Sequence, residues 1–369
     1  MRLKKVVVTG DEFFIKRHYY IFQAMSQHLE HLQFLPYGDL QQARVTEILS
    51  KYLYKVFYKI SPKQADKFFY KNPKAFIKKS LQTERKIFQL SYTPDLVIHL
   101  FGTYSPFWQK FDIPYAMYLD YTMSLVETSW LPWAPFTSRE EWNAWINCER
   151  RAYQQAHHLL PMSDVVKQSL IEDYGIEPEK ITVVGSAANF QEIYEGDKKF
   201  GSKQILFNGS DFERKGGDLV LAAFEKVKQE IPEAKLIIVG KQLGLTTNNG
   251  VENLGKISSR LEMQNLFLKT DLVVAPAYCE PYGLFLVEAM NYGVPCVVSA
   301  SGGMPEIVDN EINGIVIEQP QPDVIAKKII SLLNNISLLK SMSQMARAKV
   351  KTKLNSERVA QNILRALSS

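Results

Sequence analysis

Three observations predict an α/β chain built from two domains, each a parallel sheet with crossover helices. Short β-branched runs alternate with helical stretches along all 369 residues. A chain of that length exceeds one small core and suits two domains of roughly 150–200 residues each. The alternation lapses once, between Val184 and Gln204, into the polar stretch GSAANFQEIYEGDKKFGSK, which carries three glycines and no helical period. Strand, helix, strand repeated in this way means parallel sheets with crossover helices, and strands buried on both faces read as continuously apolar runs.

Taken in order, the apolar runs place strands at Lys5–Thr9, Leu96–Phe101, Tyr115–Leu119, His158–Met162 and Ile181–Val184 in the first half. The second half repeats the design at Ile205–Asn208, Lys235–Val239, Leu272–Ala275, Pro295–Ser299 and Gly314–Ile317. The polar stretch is expected to be an interdomain linker, with the boundary near residues 190–200. The chain ends in a predicted helix over Ser356–Leu367, with Val359, Ile363, Leu364 and Leu367 on one face at helical spacing. The expected division is therefore 1–190, 191–350, and a terminal helix within 351–369 that crosses back to the first domain.

Composition excludes several classes. A hydrophobic fraction of 46% with 22% charged residues is ordinary for a globular chain and argues against disordered or fibrous sequences. Cys148, Cys279 and Cys296 are odd in number and contain no CxxC pair, so neither a disulfide framework nor a thiolate metal site is expected. The apolar run behind the basic start is only Val6–Val8, short of a signal core of about 7–15 residues. No run of about 18 apolar residues predicts a spanning helix. A cytoplasmic protein is expected, with the membrane's inner face as a peripheral location.

The formal charge of +5 is unevenly spread. Residues 51–86 hold eleven Lys or Arg against Asp66 and Glu84, a net +9 that leaves −4 for the remainder. Tyr52, Tyr54, Phe57, Tyr58, Phe68, Phe69, Tyr70 and Phe76 interleave with those cations. Aromatics at headgroup level and lysines on lipid phosphates suit an anionic membrane surface, with Lys55, Lys59 and Lys63 as contacts. The alternative is a solvated basic helix pair whose aromatics face the core. No nucleic-acid signature accompanies the charge, and no nucleic-acid partner is expected.

The chemistry concentrates in the second half. Directly after a predicted strand comes Glu280-Pro281-Tyr282-Gly283-Leu284-Phe285-Leu286-Val287-Glu288. Ligands of open parallel sheets bind beyond the carboxyl ends of strands, where loops turn into helices. Gly283 opens a helix, so the amides of Gly283, Leu284 and Phe285 are offered at a positive helix end that favours phosphate. Glu280 and Glu288 flank that cradle; alone they would read as a loop carboxylate and a surface residue. A second strand-to-helix loop, Gly209-Ser210-Asp211-Phe212-Glu213-Arg214-Lys215-Gly216-Gly217, supplies the two cation types that neutralise a diphosphate. A third, Ser301-Gly302-Gly303-Met304-Pro305-Glu306, repeats the design.

The order NGSDFERKGGDLVLAAFEKV, AKLIIVG, NLGKI, DLVVAPAYCEPYGLFLVEAMNYGVPCVVSASGGMPEIV and NGIVI resembles the retaining glycosyltransferases of family 4, which have the GT-B fold of two Rossmann-like domains. The resemblance is strong over about residues 200–335 and weaker before them. EPYGLFLVE matches that family's E-x7-E motif. What it implies is transfer of a hexosyl-type sugar from a UDP- or GDP-linked nucleotide diphosphate sugar to a glycan, lipid or small-molecule acceptor, with no metal and no cofactor. Glu280 would hold sugar hydroxyls, Glu288 the ribose diol, and Arg214 with Lys215 the diphosphate. The backbone of Tyr282, Gly283, Leu284 and Phe285 would receive sugar and phosphates, and Ile257 would meet the base through its main chain. The alternatives are another GT-B enzyme, a nucleotide-sugar epimerase or phosphorylase, or a non-catalytic membrane-associated protein that binds nucleotide sugar.

The chain departs from that family in two places. Where many members have a histidine after the fourth strand, this chain has Asp120, which could accept from a sugar hydroxyl or shield charge at the anomeric carbon, or simply end a strand. The usual glycine-arginine pair is Gly209-Ser210, with Arg214 as the replacement cation. Gly10 falls where the family has a glycine loop near the diphosphate; a plain tight turn is the other reading. Asp211-Phe212-Glu213 lies beside two cations and reads as loop polarity rather than a metal site. His99, His157 and His158 read as structural. All five tryptophans fall between residues 108 and 145, and Trp130 and Trp133 flank a proline-rich stretch that suits either an acceptor wall or an aromatic satellite core.

Overall fold

The computed structural model describes residues 3–37, 45–190, 192–244 and 249–368. It divides into two compact units, Met1–Gly185 with Val359–Ser369, and Ser186–Arg358.

The first unit holds a five-stranded sheet of β1 (Lys5–Asp11), β2 (His31–Tyr37), β3 (Leu96–Leu100), β4 (Tyr115–Leu119) and β5 (His158–Pro161). The order is β2-β1-β3-β4-β5, and every pairing is parallel. The connecting helices are α1 (Glu12–Arg17), α2 (Tyr19–Ser26), α3 (Val45–Ile60), α4 (Pro62–Phe69), α5 (Pro73–Phe88), α6 (Met123–Ser129), α7 (Arg139–Gln155) and α8 (Asp164–Glu172). Val7, Val97, Met117 and Leu159 from the strands pack with Phe76, Trp145 and Val166 from the helices. Val6, Val8, Ile98 and Leu160 are buried on the other face, and such double-faced burial is what continuously apolar strands require.

The second unit holds β6 (Gln204–Asn208), β7 (Lys235–Val239), β8 (Val251–Gly255), β9 (Leu272–Ala275), β10 (Cys296–Ser299) and β11 (Gly314–Ile317), again all parallel. The sheet order is β11-β10-β9-β6-β7-β8. Its helices are α9 (Gly217–Glu230), α10 (Arg260–Lys269), α11 (Leu284–Asn291), α12 (Met304–Ile307), α13 (Pro322–Leu333) and α14 (Ile336–Thr352), and α15 (Ser356–Ser368) closes the chain. From β6 the chain steps outward to β7 and β8, and from β9 it steps the opposite way to β10 and β11. The reversal leaves a switch point between β6 and β9, where adjacent loops diverge and a ligand crevice forms.

Three sequence expectations change. The segment Ile181–Val184 forms only an isolated bridge, Leu159 to Ile181, instead of a strand. Strands β2 and β8 were not expected; both are edge strands, half-exposed or alternating in burial, and β2 carries Pro36, which an edge tolerates because one side of it needs no donor. The polar stretch after Gly185 is not a free linker, because it packs on the second unit. The amide of Ser186 donates to Tyr282 Oη at 3.0 Å, that of Tyr194 to Asn291 Oδ1 at 3.2 Å, and Lys198 Nζ to the carbonyl of Leu268 at 2.9 Å. The unit boundary accordingly falls at Gly185/Ser186, and the return to the first unit at Val359 rather than residue 351. There the Asn362 side chain donates to the Val184 carbonyl at 3.2 Å.

Candidate functional site

The site of the second unit grows from the two loops at the β6/β9 switch point. After β6, Asp211–Lys215 winds into a turn that ends with Gly216 at φ 74°, the residue before α9. A Cβ on Gly216 would stand 2.3 Å from the Pro276 carbonyl oxygen, so only glycine lets this loop lie against the one that follows β9. The two loops are also pinned by Arg214. Its carbonyl accepts from the Tyr278 amide at 2.9 Å, and its guanidinium donates to the Cys279 carbonyl and, at 2.7 Å, to Asp211 Oδ2. Arg214 is buried, so its fixed fork braces the loops from inside.

Lys215 reaches the same place from the next position. Its Nζ lies 2.5 Å from Glu280 Oε2, and Arg214 Nη1 approaches the same oxygen at 3.5 Å. Glu280 is held in turn by the third glycine loop. Its amide donates to Ser301 Oγ at 3.3 Å, and the Gly303 amide donates to the Pro281 carbonyl at 3.0 Å. Gly302 has φ 54°, and a Cβ there would fall 1.9 Å from the Glu280 carbonyl oxygen. The three glycine-bearing loops are therefore one assembly, with Lys215 and Glu280 at its centre. Asp211, in the acidic Asp-Phe-Glu stretch, pairs with Arg214.

Beside the ion pair, Gly283 adopts a left-handed conformation at φ 108° and starts α11. The first amides of a helix lack intrahelical acceptors and carry the positive end of its dipole. Lys215, Glu280, Gly283 and Phe285 line one small cavity there together with Asn208. Tyr282 points away from it; its buried hydroxyl, pushed up by burial, accepts from the Ser186 amide. Only the backbone of Tyr282 is thus available at the helix start.

Further along α11, Glu288 lines a groove of about 760 Å³ with Ile257, Phe190, Arg260, Phe267 and Tyr292. The Phe267 ring stacks on Tyr292 at 5.5 Å and tilts against Phe285 at 5.4 Å, so it forms the wall between groove and cavity. The structure brings Ile257 and Glu288 together in the groove, and Lys215, Glu280, Gly283 and Phe285 together in the adjoining cavity. Phe267, Tyr292 and Arg260 carried no signal in the sequence, because nothing but the fold brings α10 and α11 side by side.

Gly10 and Asp120 belong to the first unit. Gly10 sits inside β1 at φ 144°, where a Cβ would meet Leu100 Cβ at 3.0 Å, so it is a strand residue rather than a turn. Asp120 follows β4 and is half-buried. His99 is buried, shares a 2.8 Å hydrogen bond with Thr9, and is held neutral by burial, which lowers its pKa to about 3. His158 bonds Thr182 at 2.8 Å. Gly209 lies at the end of β6, its amide donating to Val239.

The basic, aromatic segment is helical, and its aromatics divide between core and solvent: Phe76 is buried in the first core, Tyr54, Phe69 and Tyr70 are half-buried, and Tyr52, Phe57, Tyr58 and Phe68 are exposed. Tyr52, Phe57, Ile60 and Phe68 are 65%, 50%, 80% and 75% exposed, and Lys55, Lys59 and Lys63 are exposed beside them. The side chain of Lys51 lies outside the described residues. Trp133 packs at the edge of the first core, with Trp142 and Trp145 buried in it, and Trp130 is half-buried. Among the described residues no helix is long and apolar enough to cross a membrane.

Residues 190–349 match the family model described as glycosyl transferases group 1. A D-inositol 3-phosphate glycosyltransferase of Segniliparus rotundus is 25% identical over 220 residues, which cover 53% of this chain and 49% of that protein. The chain spans about half the length of the curated relatives it matches. Among solved structures, a glycosyltransferase from Rickettsia africae ESF-5 aligns with a TM-score of 0.66 at 15% identity, over 98% of this chain and 97% of that one. Anabaena HepE, solved with UDP and glucose, aligns with a TM-score of 0.63 at 16% identity, over 99% of this chain and 100% of that one. Both carry the same fold as this chain, whose residues 190–349 are similar to the glycosyl transferases group 1 family.

Proposed function

We propose that the chain is a retaining glycosyltransferase that moves a hexosyl-type sugar from a UDP- or GDP-linked nucleotide diphosphate sugar to a glycan, lipid or small-molecule acceptor, without a metal. One observation carries the reading: the Lys215–Glu280 ion pair sits at the start of α11, at the β6/β9 switch point. HepE, solved with UDP and glucose, supports a uridine donor.

Lys215, Glu280, Arg214 and Asp211 sum to zero charge, so a diphosphate entering here must draw Lys215 away from Glu280. That exchange puts the ammonium on the phosphates and frees the Glu280 oxygens to accept from sugar hydroxyls. Arg214 fixes the loop and adds charge, and the amides of Gly283, Leu284 and Phe285 face the leaving group. Departure of a nucleoside diphosphate develops negative charge, and fixed cations and amides aimed at it lower the barrier with little reorganisation. Ile257 offers main-chain groups to the base, Glu288 accepts from the ribose diol, and Asp120 is assigned to a sugar hydroxyl. The exposed face of α3 and α4 is assigned to an anionic membrane surface, which makes the protein peripheral.

Transfer tested with a panel of UDP- and GDP-sugars, with and without EDTA, decides the reading. Hydrolysis or transfer from one donor, unchanged by EDTA and abolished by Glu280→Ala in a folded variant, is expected. Activity that requires added magnesium overturns the metal-free mechanism, and full turnover by Glu280→Ala overturns the site.

A further inference from the structure

The first unit contains a second cavity, of about 330 Å³, between α4, the segment after α6, and α7. Its apolar lining is Ala134 and Trp142, both buried, the half-buried Phe136 and, at the mouth, the exposed Leu131. Its rim is cationic. Lys63 stands on one side, and on the other Arg139 lies over the Trp142 ring at 5.8 Å while pairing with Glu127 at 2.5 Å, which leaves the rim a net +1. The walls are tied together, since Lys67 donates to Thr137 Oγ1 at 2.8 Å and pairs with Glu141 at 2.7 Å, and Lys71 donates to the Trp133 carbonyl at 2.5 Å. The volume lies at the lower end of ligand pockets, about 300–1,000 Å³.

Lys63 also belongs to the exposed face of α3 and α4, three residues after Ile60 and five before Phe68. Lys63 therefore links the cavity to an exposed apolar and basic surface of the described residues. An apolar floor does nothing for a free anion, and a cationic rim does nothing for a neutral hydrocarbon; a molecule with both parts uses both.

We propose that this cavity binds one phosphate-bearing lipid, with the phosphate at Lys63 and the first segment of its chain on Leu131, Phe136 and Trp142. The inference rests on the membrane-docking reading for how the lipid arrives, and it is independent of the sugar-donor reading. It makes a phosphate-bearing lipid the acceptor class, or the anchor, that the first unit selects.

The test uses the full chain and dodecyl phosphate below its micelle concentration, followed by tryptophan emission, since Trp142 lies in the floor. Saturable binding is expected, with inorganic phosphate and uncharged dodecyl maltoside each at least about tenfold weaker, equivalent to about 1.4 kcal/mol. Leu131→Glu, at an exposed position that does not threaten folding, should weaken dodecyl phosphate about tenfold while flotation with phosphatidylglycerol-containing vesicles persists. The variant Ile60→Glu/Phe68→Glu should lose the salt-resistant part of flotation and keep dodecyl phosphate. Wild-type affinity in Leu131→Glu, or equal binding of inorganic phosphate, overturns the lipid cavity. Flotation of the wild type with no binding of dodecyl phosphate overturns it as well and leaves membrane docking standing. Wild type that binds dodecyl phosphate but does not float overturns docking.

Discussion

Lys215 Nζ and Glu280 Oε2 stand 2.5 Å apart, from residues 65 positions distant in sequence, and both side chains are largely buried at 15% and 13% exposure. A partly buried pair of this kind is a reservoir: whichever group loses the other must find a new partner. An incoming diphosphate and an incoming sugar supply one each.

Removing the carboxylate charge should therefore separate binding from turnover. In Glu280→Gln the ammonium of Lys215 is released toward phosphate, so calorimetry should find UDP or GDP bound as tightly as in wild type or tighter, while transfer falls by at least about a hundredfold, the loss of a charged transition-state contact of about 2.7 kcal/mol. Lys215→Ala should do the opposite to affinity, weakening the nucleotide by about ten- to a hundredfold, the range of a charge-assisted hydrogen bond at about 1.5–3 kcal/mol. Equal loss of nucleotide in both variants would contradict the exchange.

Gly302 should be intolerant of a side chain. A Cβ there falls 1.9 Å from the Glu280 carbonyl oxygen, on backbone at φ 54°. Gly302→Ala should cost about 1–3 kcal/mol of stability for the strained backbone and more for the clash, and should lower nucleotide affinity because the Glu280 loop must move. Thermal unfolding with and without UDP measures both. A melting temperature within a degree of wild type would refute the close packing of these loops.

The strands that position the site were legible because both faces of them are buried, as in Leu206–Phe207 and Leu272–Val274, which leaves an unbroken apolar run. Strands β2 and β8 were not, because an edge strand needs apolar residues on one face only and HLQFLPY and VENLG do not read as core. Glu280 and Lys215 were legible as types following strands. Their pairing was not, since parallel-sheet order decides which loops meet, and sequence spacing carries no trace of the β6/β9 reversal. Arg214 shows the same limit: its charge was visible, and its bracing of the Tyr278–Cys279 backbone depends on burial that only packing sets. The groove walls Phe267, which is buried, and Tyr292, which is half-buried, had no sequence signal, because only the fold sets their rings side by side.

Burial raises the Glu149 carboxyl to about 7, although Tyr174 and the Met123 amide donate to it. A carboxyl whose folded pKa exceeds its unfolded value of about 4.3 binds its proton more tightly when folded. Its contribution is therefore fully present below about pH 4 and is lost as pH rises toward 7. His18 and His99, lowered to about 3 by burial, act with the opposite sign and cost stability as pH falls below about 6.5. The difference between Glu149→Gln and wild type isolates the carboxyl. It should be small near pH 5, grow in favour of the variant to a few kcal/mol by pH 7, and stay level above that. Denaturant unfolding at four pH values checks it; a difference that does not change with pH excludes Glu149 as the titrating group.

The exposed face of α3 and α4 predicts a salt-dependent membrane contact. Lys55, Lys59 and Lys63 supply charge, and Phe57, Ile60 and Phe68 supply apolar area that solvent covers in the free chain. Each lysine near an anionic leaflet is worth about 1 kcal/mol, and that share is screened beyond about 10 Å at 0.1 M salt. The apolar share is not screened. Flotation with phosphatidylglycerol-containing vesicles should fall as salt rises and level off above zero. Replacing the three lysines by glutamate should remove the salt-sensitive part, and Ile60→Glu/Phe68→Glu the residue. Recovery that ignores both salt and these substitutions would return the segment to an ordinary solvated face.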